Sequence, residues 1–228
     1  MLEKINSELD NFVYRISHDI RAPLSSCFGI LNIMESEDLI NEKNEPYIKM
    51  IREVLSRQDA VISSILNYSR NSRGELKIER FNLWEMINST YSDVRFMNDS
   101  SGKVELKMKF DKSLCLNSDR NRVQFMFNNL LSNAIKYANL NQNHPLIEID
   151  VVNINSQFQI TVRDNGQGIR EDILPHIFDM FFRGTVESTG SGLGLYIVKT
   201  FIEKNSGTIE LESQLGKGTK AILRLPKV

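Results

Sequence analysis

Through the first seventy or so residues the apolar side chains recur every three or four positions, and from Glu75 onward that period gives way to short alternating runs broken by glycine. Such a change of period predicts a helical segment followed by a mixed α/β one. Leu2, Ile5, Leu9, Phe12 and Ile16 alternate spacings of three and four, the seam of a coiled-coil stalk. The apolar positions then resume at Ile20, Leu24, Cys27, Leu31 and Met34, so the seam slips by one residue beside His18. Pro23 lies at the same place, where it cannot donate to the carbonyl of Asp19 and crowds it, so the helix is expected to bend or loosen one turn after His18. Glu35 to Pro46 is polar and charged and reads as a helix–helix connection. A second helix carries Ile48, Ile51, Leu55, Ile62 and Ile65 and ends near Asn71–Gly74. Two helices with one apolar stripe each cannot bury both as a monomer, which predicts a homodimeric four-helix bundle.

Beyond Glu75 the pattern predicts strands over Leu76–Arg80, Val104–Phe110, Thr208–Glu212 and Lys220–Leu225. Helices are expected over Leu83–Asn98, Asp119–Asn139 and Leu193–Lys204, and a hairpin from Ile147–Asn153 and Phe158–Arg163. The expected architecture is α+β: residues 1–72 a helical hairpin with its stalk, 73–80 a linker, and 81–228 an α/β sandwich. With 228 residues, 41% of them hydrophobic and 25% charged, the chain can bury proper cores. A net charge of −1, with both signs interspersed, implies no nucleic-acid or anionic-lipid partner. The apolar runs fall short of the ~18 residues that cross a bilayer, and no secretory leader opens the chain, so this segment reads as soluble. Cys27 and Cys115 lack metal-site spacing and read as structural, reduced thiols.

Five stretches carry chemistry. In Ser17–Leu24, the carboxylate of Asp19 stands beside the imidazole of His18, where it can take up the ring proton and leave the other nitrogen free to attack a phosphate. In Asn129–Tyr137, Asn129, Asn133 and Lys136 fall on one helix face, so amide oxygens and an ammonium converge where Mg²⁺ and phosphate could sit. Asn is also an odd choice for a helix interior that is merely solvated. Asp164-Asn165-Gly166-Gln167-Gly168-Ile169 follows a strand. Asp164 can accept from an adenine amino group and the glycines let backbone approach the base, although the same residues suit an ordinary turn. Gly190-Ser191-Gly192-Leu193-Gly194 opens a helix and offers backbone amides to a triphosphate, without the Lys-Ser/Thr ending of a P-loop. Finally, Ile177–Gly184 with Thr185–Gly190 reads as an aromatic-anchored lid, or as plain core.

These ordered stretches, with the closing Gly216–Thr219, resemble the catalytic core of a bacterial two-component sensor histidine kinase over nearly the whole chain. The resemblance implies a dimerisation and phosphotransfer hairpin, then a Bergerat-type ATP-binding domain. It implies His18 as phospho-acceptor with Asp19 beside it, and onward transfer to an aspartate in the receiver domain of a response regulator. Asn129 and Asn133 would lie at the Mg²⁺–triphosphate, and Lys136 and Tyr137 beside the nucleotide. Asp164 would read adenine, and Gly166, Gly168, Ile169 and Thr219 would shape its pocket. Gly190, Gly192, Leu193 and Gly194 would hold phosphates, and Arg183 stands where a lid arginine is usual. The cofactors implied are ATP and Mg²⁺. The segment is expected in the cytoplasm, and a stalk that starts at Met1 leaves room for a sensory or membrane segment before it.

Two departures sharpen this reading. Where ATPases of the wider superfamily resemble one another in a glutamate that activates water, this chain has Asn129, whose amide cannot accept a proton near pH 7. Where kinases that also act as phosphatases carry a Thr or Asn four residues after the histidine, this chain has Ala22, so weak phosphatase activity is expected. The competing reading is a catalytically silent nucleotide-binding dimer serving as an interaction module. The presence of His18, Asp19, Asn133, Asp164 and the glycines together does not favour it.

Overall fold

The structure, a computed structural model, describes residues 20–73, 77–97, 103–140, 144–184 and 191–227. The stalk positions Leu2 to Ile16, together with His18 and Asp19, lie outside the described residues. Two compact units divide the chain, Met1–Arg73 with Thr185–Leu193, and Gly74–Gly184 with Gly194–Val228.

The first unit is a helical hairpin. Helix α1 covers residues 20–36 and runs on through Pro23, while α2 spans Glu45–Arg73. Residues 20–36 are helical throughout, one turn after His18 included, and only the Asp19 carbonyl that Pro23 leaves without a donor lies outside the described residues. Between the helices, two asparagines clamp the connection. The Asn41 carboxamide oxygen accepts from the amides of Lys43 and Asn44, and that of Asn44 accepts from the Asn41 amide at 2.7 Å. Such side-chain turns are why Asn favours loops over helix interiors.

Leu24 and Leu31 of α1 are buried, as are Ile62 and Leu66 of α2, with Leu55 packed alongside. The seam expected at Ile20, Cys27 and Ile51 is instead exposed in the single chain. Polar ties flank the apolar contact: Arg21 donates to Ser63 at 2.8 Å and pairs with Asp59 at 3.4 Å, and Arg52 pairs with Glu35 at 3.0 Å. Ile30 (59%), Ile33 (54%), Tyr47 (66%), Met50 (63%) and Val54 (52%) remain exposed, so one chain does not bury its own stripes.

The second unit layers three helices on a sheet. In chain order it holds β1 (Ile78–Asn82), α3 (Leu83–Met97), β2 (Glu105–Met108), β3 (Cys115–Asp119), α4 (Arg120–Lys136), β4 (Leu146–Ile154), β5 (Gln157–Asp164), α5 (Gly194–Lys204), β6 (Thr208–Gln214) and β7 (Gly218–Pro226). The five-stranded sheet has the order β2-β4-β5-β7-β6, antiparallel apart from the parallel β2–β4 pair. Strands β1 and β3 form a separate antiparallel pair.

Strand period fixes which face is which. Ile147, Ile149, Ile160, Val162, Ala221 and Leu223 pack against Leu83, Ile87, Val123, Phe127, Leu131 and Ile202 of the helices in one core. Each fully buried Leu, Ile or Phe there contributes about 1.5–3 kcal/mol over leaving it exposed. Across the other face, Glu148, Arg163, Lys220 and Glu212 stand side by side in register, an alternation that keeps the surface solvated. The β4–β5 hairpin closes through Asn155 at φ 54°, a left-handed conformation that Asn tolerates.

Candidate functional site

The chemistry-bearing residues of the second unit collect at the end of the sheet where β5 finishes. Two residues beyond the apolar row of Val162, Ala221 and Leu211, the inner face of β5, β7 and β6 carries Asp164, Thr219 and Ser213. A polar row therefore caps the apolar core.

Asp164 is half-buried, and its Oδ1 accepts from the amides of Gly166 at 2.9 Å and Thr219 at 3.2 Å. Among the described residues its Oδ2 receives no hydrogen bond. Burial pushes the carboxyl above its ordinary pKa, against the pull of those two amides and of its own backbone amide. Three glycines make room around it. A Cβ on Gly166 would stand 3.0 Å from Asp164 Oδ1 and 2.5 Å from the Tyr137 carbonyl oxygen. Gly168 at φ 69° faces the Gln214 carbonyl, and Gly218 at φ 103° faces that of Asp164. A Cβ at any of the three would run into a backbone carbonyl, and Gly168 and Gly218 also hold a positive φ, which is the reason for glycine there.

The loop after β5 is pinned on three sides. Asn165 accepts from the Leu146 amide and donates to the His144 carbonyl, both at 2.8 Å. The Gln167 amide donates to the Tyr137 carbonyl at 2.9 Å, and the Ile169 amide to Ser213 Oγ at 2.8 Å. Asn165, turn material by sequence, is thus a brace, and Ser213 joins the site from outside every motif. The signal available for Ser213 was a lone hydroxyl on the apolar side of an alternating strand.

Helix α4 carries Asn129, Asn133 and Lys136 on successive turns. Asn129 donates to the Phe125 carbonyl at 2.8 Å, and its Oδ1 abuts the position a Cβ would take on Gly194, the first residue of α5. The Lys136 ammonium lies 4.8 Å from the centre of the Tyr137 ring. Of the second glycine stretch, only Gly194 falls in this unit; Gly192 and Leu193 group with the helical one, and Gly190 lies outside the described residues.

Between β5 and α5, Ile177 is buried, and Lys199 of α5 lies 5.5 Å from the Phe178 ring centre. His176 Nδ1 and Asp179 Oδ2 are 2.9 Å apart. Phe181 sits at φ 64° with its ring half-exposed, a backbone strain of about 1–2 kcal/mol for a bulky residue. Arg183 is half-buried, and residues 185–190 lie outside the described residues.

Among the described residues no three His, Cys, Asp or Glu side chains could hold a metal.

The family of histidine kinase-, DNA gyrase B- and HSP90-like ATPases matches residues 118–228, and the His Kinase A (phospho-acceptor) domain matches residues 8–74. The chain carries the catalytic core of a sensor histidine kinase. It is 33% identical over 228 residues to the methanogenesis regulatory histidine kinase FilI of Methanothrix harundinacea, covering 99% of this chain and 25% of that one. To sporulation kinase A of Bacillus subtilis it is 29% identical, over 93% of this chain and 34% of the other. The chain thus spans about a quarter to a third of the length of these curated relatives. Among solved structures, the histidine kinase ThkA in complex with the response regulator protein TrrA matches with a TM-score of 0.65 and 26% identity, over 99% of this chain and 64% of that one. Full-length ShkA in complex with AMPPNP shares the fold, with a TM-score of 0.70 and 20% identity over 96% of this chain and 46% of that one. The histidine kinase core is thus a helical segment followed by an α/β ATPase domain. No helix among the described residues is long and apolar enough to cross a membrane.

Proposed function

We propose that this histidine kinase core phosphorylates its own His18 from ATP and passes the phosphoryl group to an aspartate in the receiver domain of a response regulator. The observation that carries the reading is the end of the sheet: a half-buried carboxylate, Asp164, with three closely packed glycines around it, one unit with the Asn129–Gly194 contact at the start of α5. His18 falls within the matched phospho-acceptor domain.

In the reaction, a ring nitrogen of His18 attacks the γ-phosphorus. A P–N bond forms, the bond to the bridging oxygen breaks, and ADP leaves. Asp19 takes up or orients the proton on the other ring nitrogen. Asp164 and Thr219 hold the base, with Gly166, Gly168 and Ile169 forming its walls. Asn129, Asn133 and Lys136 face the triphosphate, Tyr137 lies beside it, and Gly190, Gly192, Leu193 and Gly194 offer amides to the phosphates. Arg183 serves the lid. Mg²⁺ would neutralise phosphate charge, held by Asn133 and Asn129 oxygens together with phosphate oxygens and waters. Because Asn129 is no base, water is not activated and the γ-phosphoryl is left for the histidine.

Residues 1–72 would form the dimerisation and phosphotransfer hairpin, 73–80 the linker and 81–228 the catalytic domain. The exposed stripe from Ile30 to Val54 supports a homodimer. The segment would work in the cytoplasm, and its being part of a larger sensor accords with this chain's share of its relatives' length.

Incubation with labelled ATP and Mg²⁺ tests the reading. The label is expected to survive base and be lost in acid, as a phosphoramidate is, and to be absent in His18→Gln and in Asn133→Ala. Acid-labile phosphate on His18→Gln would overturn the assignment.

A further inference from the structure

Ser213 Oγ lies at the centre of three contacts. It accepts from the Ile169 amide at 2.8 Å, donates to the Gly218 carbonyl at 2.9 Å, and stands 2.9 Å from Thr219 Oγ1. A serine hydroxyl has one proton, and a carbonyl oxygen can only accept. The proton of Ser213 is therefore committed to Gly218, and in the contact with Thr219 the threonine must donate. With its own proton spent there, Thr219 Oγ1 has only lone pairs left to offer.

Thr219 also adjoins Asp164, since its amide donates to Asp164 Oδ1 and leaves Oδ2 without a hydrogen bond among the described residues. Thr219 and Asp164 thus adjoin through the Thr219 amide, and each brings an acceptor to the end of the row, Thr219 through Oγ1 and Asp164 through Oδ2. A base edge bearing an amino group satisfies such a pair. A base bearing a carbonyl at that position sets acceptor against acceptor. Without Ser213 the threonine hydroxyl could turn and donate to that carbonyl, and the distinction would blur.

We propose that Ser213 is a specificity-determining positioning residue: by accepting the only hydroxyl proton of Thr219, it holds Thr219 Oγ1 as an acceptor, so that the site takes a 6-aminopurine nucleotide and refuses a 6-oxopurine one. This rests on the reading of the Asp164–Thr219–Ser213 row as the base site, and adds to it a residue that need not touch the base.

The test compares ATP with inosine triphosphate, which differs from ATP at the purine 6-position and in the N1 proton that goes with it. Dissociation constants for both are measured on the full chain and on Ser213→Ala, Ser213→Thr and Thr219→Val. Ser213→Ala is expected to lower the preference for ATP over inosine triphosphate by about tenfold, the size of one good hydrogen bond. Thr219→Val should do the same, and adding Ser213→Ala to it should change the preference no further. Ser213→Thr keeps the hydroxyl on a strand that suits threonine, and should keep the preference. A purely structural Ser213 would weaken both nucleotides by one factor; an unchanged preference in Ser213→Ala overturns the inference while leaving the nucleotide site standing. A natural chain that binds neither nucleotide overturns the base-site reading itself.

Discussion

Asp164 carries two opposed demands. Burial raises its pKa, so the folded chain holds that proton more tightly than the unfolded one does. The linkage has a definite sign: the stabilisation from protonating Asp164 is full below the ordinary carboxylate value, about pH 4, and is lost as pH rises through the raised value. At neutral pH the buried charge therefore weakens the free protein. Asp164→Asn should raise its melting temperature at pH 7, by a margin that shrinks toward pH 4 in calorimetry. The same change should weaken ATP binding by about 10- to 100-fold, because an Asn whose oxygen serves the Gly166 and Thr219 amides turns an N–H toward the base. Unchanged ATP affinity would remove Asp164 from the base site. Ala22 makes a second prediction at this scale. It is exposed on α1 and its methyl cannot orient a water. Ala22→Thr should raise the hydrolysis of a phosphorylated partner regulator by about tenfold or more with little change in autophosphorylation. Fast hydrolysis by the natural chain would contradict it.

At the scale of the element, α4 is held at its first turn by charges buried in the domain. Asp119 caps the helix, accepting from the Arg122 amide at 3.1 Å, and its Oδ2 lies 3.5 Å from the Arg122 guanidinium, with the two side chains 8% and 9% exposed. The Lys77 amide reaches the same carboxylate at 3.3 Å, so the start of β1 is tied to the start of the helix that carries Asn129 and Asn133. Removing one partner of a buried pair costs far more than the pair itself contributes. Asp119→Ala should lose about 3 kcal/mol or more in urea unfolding, whereas Asp119→Asn keeps the cap and should lose less. Equal losses would mean that the buried charge pair accounts for the whole effect and the cap contributes nothing. The helix was legible because Val123, Phe127, Leu130, Leu131 and Ala134 repeat at helical spacing. Its clamp was not, because spacing does not say that β1 pairs with β3 and brings Lys77 to Asp119.

At the scale of the molecule, the two units differ in how completely each buries itself. The α/β unit closes its own core over Phe127, Leu131, Ile149, Ile160 and Leu223. The hairpin buries Leu24, Leu31, Ile62 and Leu66 and leaves Ile30, Ile33, Tyr47, Met50 and Val54 to solvent. Association should therefore belong to the hairpin. A fragment of residues 74–228 is expected to sediment as a monomer and still bind ATP, while the full chain sediments as a dimer. A dimeric fragment would place the interface elsewhere.

The sequence by itself determined the order of elements and the kind of chemistry. Apolar period distinguishes helix from strand, glycine and asparagine mark the turns, and the boxes from His18 to Thr219 keep their identity whatever surrounds them. The expected strands fell within about two residues of those observed, since alternation along β4, β5 and β7 is a local property of a half-buried strand. Only the tertiary structure decided what depends on register between distant segments. It placed β7 between β5 and β6, which sets Asp164, Thr219 and Ser213 in one row, and it aimed the oxygen of Asn129 at Gly194. It also decided which seam residues are covered: Leu24 and Leu31 are, whereas Ile20 and Cys27 are not. A spacing of three or four positions says that residues share a face, but what that face meets is settled by packing and by where each donor finds its acceptor.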